Sequence, residues 1–276
     1  MQSDWLIQYP ETSHWEQRLN GRVCGVDEAG RGPLVGPLVV AACSLEDTPV
    51  ISQLKDSKKM TARQRELAFS SLAQNADYCI VFVSNAVVHQ RNIYAATQEA
   101  MRFSIRHLAC DHAIVDAMKL DVEGTEIISF PKADAQSVSV SAASVLAKVS
   151  RDLYLSLSSL DPRSYGFAKH KGYGTKAHYE ALDREGPSAL HRPDYLRTWF
   201  QKRVGDGWEP KWQAYCEAIQ AEEAFYEMDF SDFTRQMESM LGKAGRDYLK
   251  RCFFMTLKED QICCTALLCK EDFEEN

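Results

Sequence analysis

The stretch from residue 23 to 36, Val-Cys-Gly-Val-Asp-Glu-Ala-Gly-Arg-Gly-Pro-Leu-Val-Gly, constrains the fold of this chain more than any other. An apolar run, Val23 to Val26, ends in the adjacent carboxylates Asp27 and Glu28. A loop follows in which Gly30 and Gly32 free the backbone from ordinary dihedral limits. Beyond it, Pro37 to Leu45 is almost wholly apolar, the pattern of a strand covered on both faces. The two strands are expected to form a hairpin in a domain that mixes helices and strands. The glycines nearly spell a dinucleotide fingerprint, but the third comes one residue late and Pro33 sits in the turn; no Gly-Lys-Ser/Thr follows for a phosphate loop. Two readings remain: a carboxylate metal site at a strand end, or a glycine turn carrying an exposed Asp-Glu pair.

The length of 276 residues allows one large domain plus an appendage. Hydrophobic content of 45% and charged content of 26% are those of a soluble globular protein, and no apolar run approaches bilayer thickness. The N-terminal residues lack the basic and apolar regions of a signal peptide, so the expected location is the cytoplasm. Nine cysteines, odd in number and without Cys-x-x-Cys spacing, read as reduced, buried thiols. A net charge of −7 argues at first against a nucleic-acid partner. Residues 204–276, however, carry sixteen acids against eight bases, leaving 23 acids and 24 bases of the chain's 39 and 32 for the rest. Once carboxylates in that slightly basic body are neutralised by cations, a phosphate-bearing substrate fits it.

Along the chain, Ser13 to Glu16 has capping-box spacing, and Thr61 is a plausible cap for a helix to Gln74. Between the hairpin and that helix lies the polar Lys55-Asp56-Ser57-Lys58-Lys59. Tyr78 to Val83 reads as a strand, and Ile93 to Leu108 as a helix of 3.6-residue period. Short strands at Ala113–Val115 and Glu126–Phe130 lead into Asp116 and Asp134. From Ser139 to Leu160 a helix carries its apolar stripe on Ala142, Val145, Leu146, Val149, Leu153 and Leu157. Ser144, Lys148 and Arg151, at i, i+4 and i+7, are expected to project from the opposite side. Tyr165 to Thr175 interleaves aromatics, bases and glycines, a composition suited to a sugar-phosphate backbone or to a Gly-rich surface loop.

Taken together, Gly25 to Pro33, Asp56-Ser57-Lys58-Lys59, Val115-Asp116, Lys132-Ala133-Asp134, Ser141 to Asp152 and His170 to Thr175 resemble bacterial ribonuclease HII in order and spacing. The resemblance spans roughly residues 20–200. It implies an α/β ribonuclease H-like fold, a mixed five-stranded sheet flanked by helices. It further implies hydrolysis of RNA joined to DNA, in RNA-DNA hybrids and 5′ to single ribonucleotides in duplex DNA, leaving 3′-hydroxyl and 5′-phosphate ends. Carried over by motif, the four acids are Asp27, Glu28, Asp116 and Asp134, holding two divalent cations, Mg²⁺ or Mn²⁺, to which hard oxygen ligands are suited. Asp134 lies in Lys-Ala-Asp, where Lys-Gly-Asp is the commoner form. Gly30, Arg31, Gly32 and Tyr173 take the family's role of sensing the 2′-hydroxyl. Lys59, Ser144, Lys148 and Arg151 are candidates for phosphate contacts. Arg31-Gly32-Pro33-Leu34 favours this family over ribonuclease HIII, and all four acids speak against a relative that binds hybrids without cutting them.

Residues 1–204 are thus expected to be the catalytic domain, acting as a monomer, and 205–276 an acidic extension beyond a Gly205-Asp206-Gly207 linker. Trp212–Tyr226 and Phe233–Leu241 look helical, and Cys252–Leu257 with Ile262–Leu268 looks like a hairpin, so a small α+β unit is expected there. It is a candidate for contact with a protein partner.

Overall fold

In the computed structural model the described residues are 15–45, 60–157, 165–221, 244–258 and 261–266, with single positions between 235 and 241. Seven strands form one sheet: β1 (Val23–Ala29), β2 (Leu38–Ser44), β3 (Asp77–Val83), β4 (His112–Asp116), β5 (Glu126–Phe130), β6 (Cys252–Lys258) and β7 (Gln261–Ala266). Their order is β5-β4-β1-β2-β3-β6-β7. β2 and β7 run antiparallel to their neighbours, while β1, β4 and β5 are mutually parallel and β6 is parallel to β3. The β1–β2 hairpin and the mixed sheet agree with the sequence reading. The expected strand count does not: the sheet has seven strands because the C-terminal segment adds its hairpin to the β3 edge.

Helices cover both faces. On one lie α1 (Ala62–Asn75), α3 (Val138–Leu157) and α8 (Ala244–Lys250); on the other lies α2 (Asn85–Leu108). β2 shows why the sequence demands two layers. Val39, Ala41 and Cys43 face α1 and α3, while Leu38, Val40 and Ala42 face α2, and all seven β2 residues are buried. β6 obeys the same alternation, with Cys252 and Phe254 in the first core and Phe253 and Met255 in the second. The extension is therefore built into the core of the sheet. Its α7 (Trp208–Ala221) also packs on α6 (Pro193–Val204) directly after the Gly205–Gly207 turn.

Local signals explain the helix starts. Thr61 and Gln64 form the expected reciprocal cap of α1. Ser13 lies outside the described residues; Glu16 begins a 3-10 turn to Arg18, and its carboxylate instead accepts from the Ser139 amide, 3.0 Å, at the start of α3. There Ser137 Oγ accepts from the Val140 amide, 3.2 Å. Helix α3 lies so close to β1 that a Cβ on Gly25 would fall on the Val140 nitrogen. That contact fixes the helix over the strand carrying Asp27.

Three further helices follow α3: α4 (Phe167–His170), α5 (Lys176–Glu185, capped by Thr175 as expected) and α6. Among the described residues no helix is long and apolar enough to cross a membrane.

Candidate active site

The four acids stand along one end of the sheet. β1 and β4 run parallel with Val26 opposite Val115, so Asp27 and Asp116 are the next residues along the two strands. Asp134 lies in a 3-10 turn, Ala133–Ala135, just after β5, and the Ala133 amide donates to Asp116 Oδ1 at 3.3 Å. Lys132, in a left-handed conformation, makes the bend that returns the chain to this edge. Asp27 and Asp134 are buried, while Asp116 and Glu28 are half-buried. As successive strand residues, Asp27 and Glu28 point to opposite faces. Asp27 bonds with Ser144 of α3, and Glu28 Oε1 lies 3.5 Å from Arg31 Nη1.

Burial is the first cause, and the Glu28 carboxylate the second, that push the Asp27 carboxyl up to about 8; Asp134 adds to the rise and Ser144 opposes it. Among the described residues no three His, Cys, Asp or Glu side chains converge as a ready metal cage. The fit to a cation rests on the donor chemistry: hard carboxylate oxygens gathered at neighbouring strands, the kind of ligand that hard divalent cations take.

The glycine loop is supported from below by two buried arginines. Arg151, 1% exposed, donates to the carbonyls of Val35 (2.8 Å), Pro37 (3.0 Å) and Lys171 (3.0 Å). This corrects the expectation that Arg151 meets phosphate on an open helix face. Helix α3 is buried nearly all round because the glycine loop and the 165–175 loop cover its far side. Ser144 is likewise buried, bonding with Asp27 and therefore not presented to phosphate, whereas Lys148 is partly exposed and paired with Asp152 at 2.7 Å. Lys59, with the rest of Asp56-Ser57-Lys58-Lys59, lies outside the described residues.

Arg192 is the second buried cation, and nothing in the sequence pattern singled it out. It donates to Gly36 O from Nε (3.0 Å) and Nη2 (2.8 Å), and from Nη1 to the carbonyls of Arg31 and Pro33, each 3.2 Å. Tyr195 adds a bond to Arg31 O at 2.6 Å. Burial lowers the pKa of Arg192 to about 9 and that of Arg151 to about 10, which leaves both charged at neutral pH. The Pro at the first turn of α6 directly after a charged residue is the only local hint; the carbonyl cage itself is a tertiary product.

Gly30 has φ +95°, and a Cβ there would strike the Arg151 guanidinium. Gly32 is different: a Cβ there would stand 3.9 Å from Tyr173 Cε1, in the space between loop and ring. Tyr173 is 47% exposed, and its loop is tied to the glycine loop by the Leu34 amide donating to Gly172 O at 2.9 Å. The structure thus brings Gly30, Arg31, Gly32 and Tyr173 together beside Glu28.

Comparison with known proteins gives the family. The family model described as ribonuclease HII matches residues 24–203. Ribonuclease HII of Caldicellulosiruptor bescii is 41% identical over 179 residues, 64% of this chain and 87% of that protein. Ribonuclease HII of Acetivibrio thermocellus is 41% identical over 202 residues, 71% of this chain and 79% of that protein. Among solved structures, ribonuclease H2 of Pyrococcus horikoshii superposes with a TM-score of 0.54 at 27% identity, covering 70% of this chain and 99% of that one. RNase HII of Archaeoglobus fulgidus, solved with PCNA, gives 0.51 at 26% identity, covering 62% and 93%. The acids at the sheet end, the glycine loop beside them and a family match that spans both therefore say the same thing: the chain belongs to the ribonuclease HII family of hydrolytic endoribonucleases.

Proposed function

We propose that this protein cleaves the RNA strand of RNA-DNA hybrids and nicks duplex DNA 5′ to single embedded ribonucleotides, leaving 3′-hydroxyl and 5′-phosphate ends. The observation that carries the reading is that the exposed Tyr173 ring stands against the Gly32 backbone, 3.9 Å from a Gly32 Cβ position, beside the Asp27-Glu28 pair. A sugar laid over this contact meets the loop backbone and an exposed aromatic edge together. Its 2′-hydroxyl is then read next to the carboxylates.

Asp27, Glu28, Asp116 and Asp134 would hold two divalent cations, Mg²⁺ or Mn²⁺. Bound there, such cations supply Lewis-acid polarisation of the scissile phosphate and activation of water. The chain's own residues prepare that site. Ser144 holds Asp27 in place from α3, and the Ala133 amide orients Asp116. Arg151 and Arg192, buried under the loop, add fixed positive charge beneath a surface that must accept a polyanion. Lys148 is the phosphate contact among the described candidates, at the cost of its ion pair with Asp152. The protein works as a monomer in the cytoplasm. A partner of the C-terminal extension would use residues other than Leu249, Phe253 and Phe254, which are buried.

The test is a duplex DNA carrying one ribonucleotide, incubated with Mg²⁺ or with chelator, with product ends mapped. Mg²⁺-dependent nicking on the 5′ side is expected. Cleavage confined to longer RNA tracts, or tight binding without cleavage, would overturn the reading. Tyr173→Ala is expected to depress cleavage at the single ribonucleotide more than on a long hybrid.

A further inference from the structure

Behind Tyr173 stands a chain of imidazoles to which the cleavage chemistry assigns no part. His178 of α5 and His191, just before α6, are fully buried, with their Nε2 atoms 3.2 Å apart. His178 Nδ1 lies 2.9 Å from the Tyr173 carbonyl. A carbonyl only accepts, so His178 Nδ1 carries the hydrogen. At the other end the Ser188 amide reaches His191 Nδ1 at 3.0 Å, and an amide only donates, so that nitrogen accepts. The shared contact then has one sense: His191 Nε2–H donates to the lone pair of His178 Nε2. Both rings are neutral with fixed tautomers, and the direction runs from Ser188 through His191 and His178 to Tyr173 O.

The surroundings hold this chain in place. His170 stacks on His178 with centroids 4.4 Å apart, and Phe167 packs edge-on against all three imidazoles. The Tyr173 carbonyl also accepts from the Thr175 amide at 2.8 Å, so the backbone of Tyr173 is clamped twice. At its far end the chain reaches the segment that supports the glycine loop. Val35 and His191 form an antiparallel bridge, the Arg192 amide donates to Leu34 O at 2.8 Å, and the Arg192 side chain binds the carbonyls of Arg31, Pro33 and Gly36.

We infer that His178 and His191 are positioning residues for substrate selection: through their oriented hydrogen bonds they hold Tyr173 in register with the glycine loop that Arg192 supports. Two adjacent residues, His191 and Arg192, thereby act on both Tyr173 and the glycine loop. Neither histidine touches substrate; they act on how sharply this pair distinguishes a ribose. This inference rests on the proposed role of Tyr173 as sugar sensor.

The experiment compares kcat/KM on a duplex with one ribonucleotide against kcat/KM on a long hybrid. The quantity read is their ratio, which a smaller folded fraction leaves unchanged. His178→Ala is expected to lower the ratio about tenfold, within the loss that ångström-scale misplacement brings. His178→Asn, whose amide can still donate to Tyr173 O, is expected to restore most of it. Should His178→Ala not accumulate as folded protein, His191→Asn, too short to reach His178, carries the same comparison and His191→Gln the rescue. A ratio unchanged in the histidine variants while Tyr173→Ala lowers it would overturn this inference and leave the sensor role standing. A ratio unchanged in Tyr173→Ala would overturn the sensor role and this inference with it.

Discussion

Phe254→Ala separates an appended tail from a structural part of the enzyme. Phe254 lies on β6, opposite Phe82 of β3 in register, with ring centroids 5.3 Å apart. It is 8% exposed and belongs to the core that holds Phe69, Leu146 and Tyr154 under α1 and α3. Truncating a buried Phe to Ala removes its transfer free energy and leaves a cavity, together about 3–5 kcal/mol. Because β6 shares the sheet, that loss should fall on the whole molecule. In a chain of this size each kcal/mol moves Tm by roughly 2–4 °C, so a fall of about 10 °C is expected. Urea unfolding should remain one transition, with a lower midpoint and an unchanged m-value. Scanning calorimetry and nuclease activity followed through the same temperature ramp give the check: activity should disappear with the single heat-absorption peak. Two peaks, of which only a minor one moves while activity persists to the wild-type temperature, would refute the placement of the extension in the core.

Three further outcomes follow from the site. Asp27→Asn and Asp116→Asn are expected to abolish Mg²⁺-dependent cleavage while circular dichroism stays native; Asp27→Asn should melt no lower than wild type, since burial first and Glu28 second disfavour the charge that the amide lacks. Gly30→Ala should cost about 1–3 kcal/mol in denaturant unfolding, because φ +95° is strained for any side chain and the new methyl meets Arg151. The third concerns pH. Burial lowers the pKa of His178 from 6.5 to about 4, so between those values the unfolded chain takes up a proton that the native one refuses. Stability contributed by this group is complete above pH 6.5 and falls as pH drops towards 4, by at most about 3 kcal/mol. Wild type minus His178→Asn, measured by urea unfolding from pH 7.5 to 4.5, isolates that slope from the carboxylates; a difference independent of pH would contradict the buried neutral imidazole.

The local elements and the chemistry they carry were legible without the fold. Asp27-Glu28 at a strand end, the capped start of α1, the two-faced apolar β2 and the acids after β4 and β5 are all readable, because alternation, capping and glycine placement act over a few residues. The order of motifs carried the family. Contacts between distant segments were not readable in this way. Ser144, Lys148 and Arg151 share one helical side by spacing, but spacing does not say what covers that side. Two loops close over it, turning Arg151 from a surface cation into a buried clamp on three carbonyls. The acidic composition of residues 204–276 likewise suggested a separate unit. Only the pairing of Ile80–Val83 with Cys252–Met255 shows those residues completing the sheet. A strand edge leaves its hydrogen-bonding partner unspecified until the chain is folded, and here the partner lies some 170 residues away. Asp27, Glu28, Gly30 and Gly32 were legible from the start; that Arg151 and Arg192 clamp the carbonyls of the glycine loop emerged only on folding, because the cations and the carbonyls they bind lie more than a hundred residues apart.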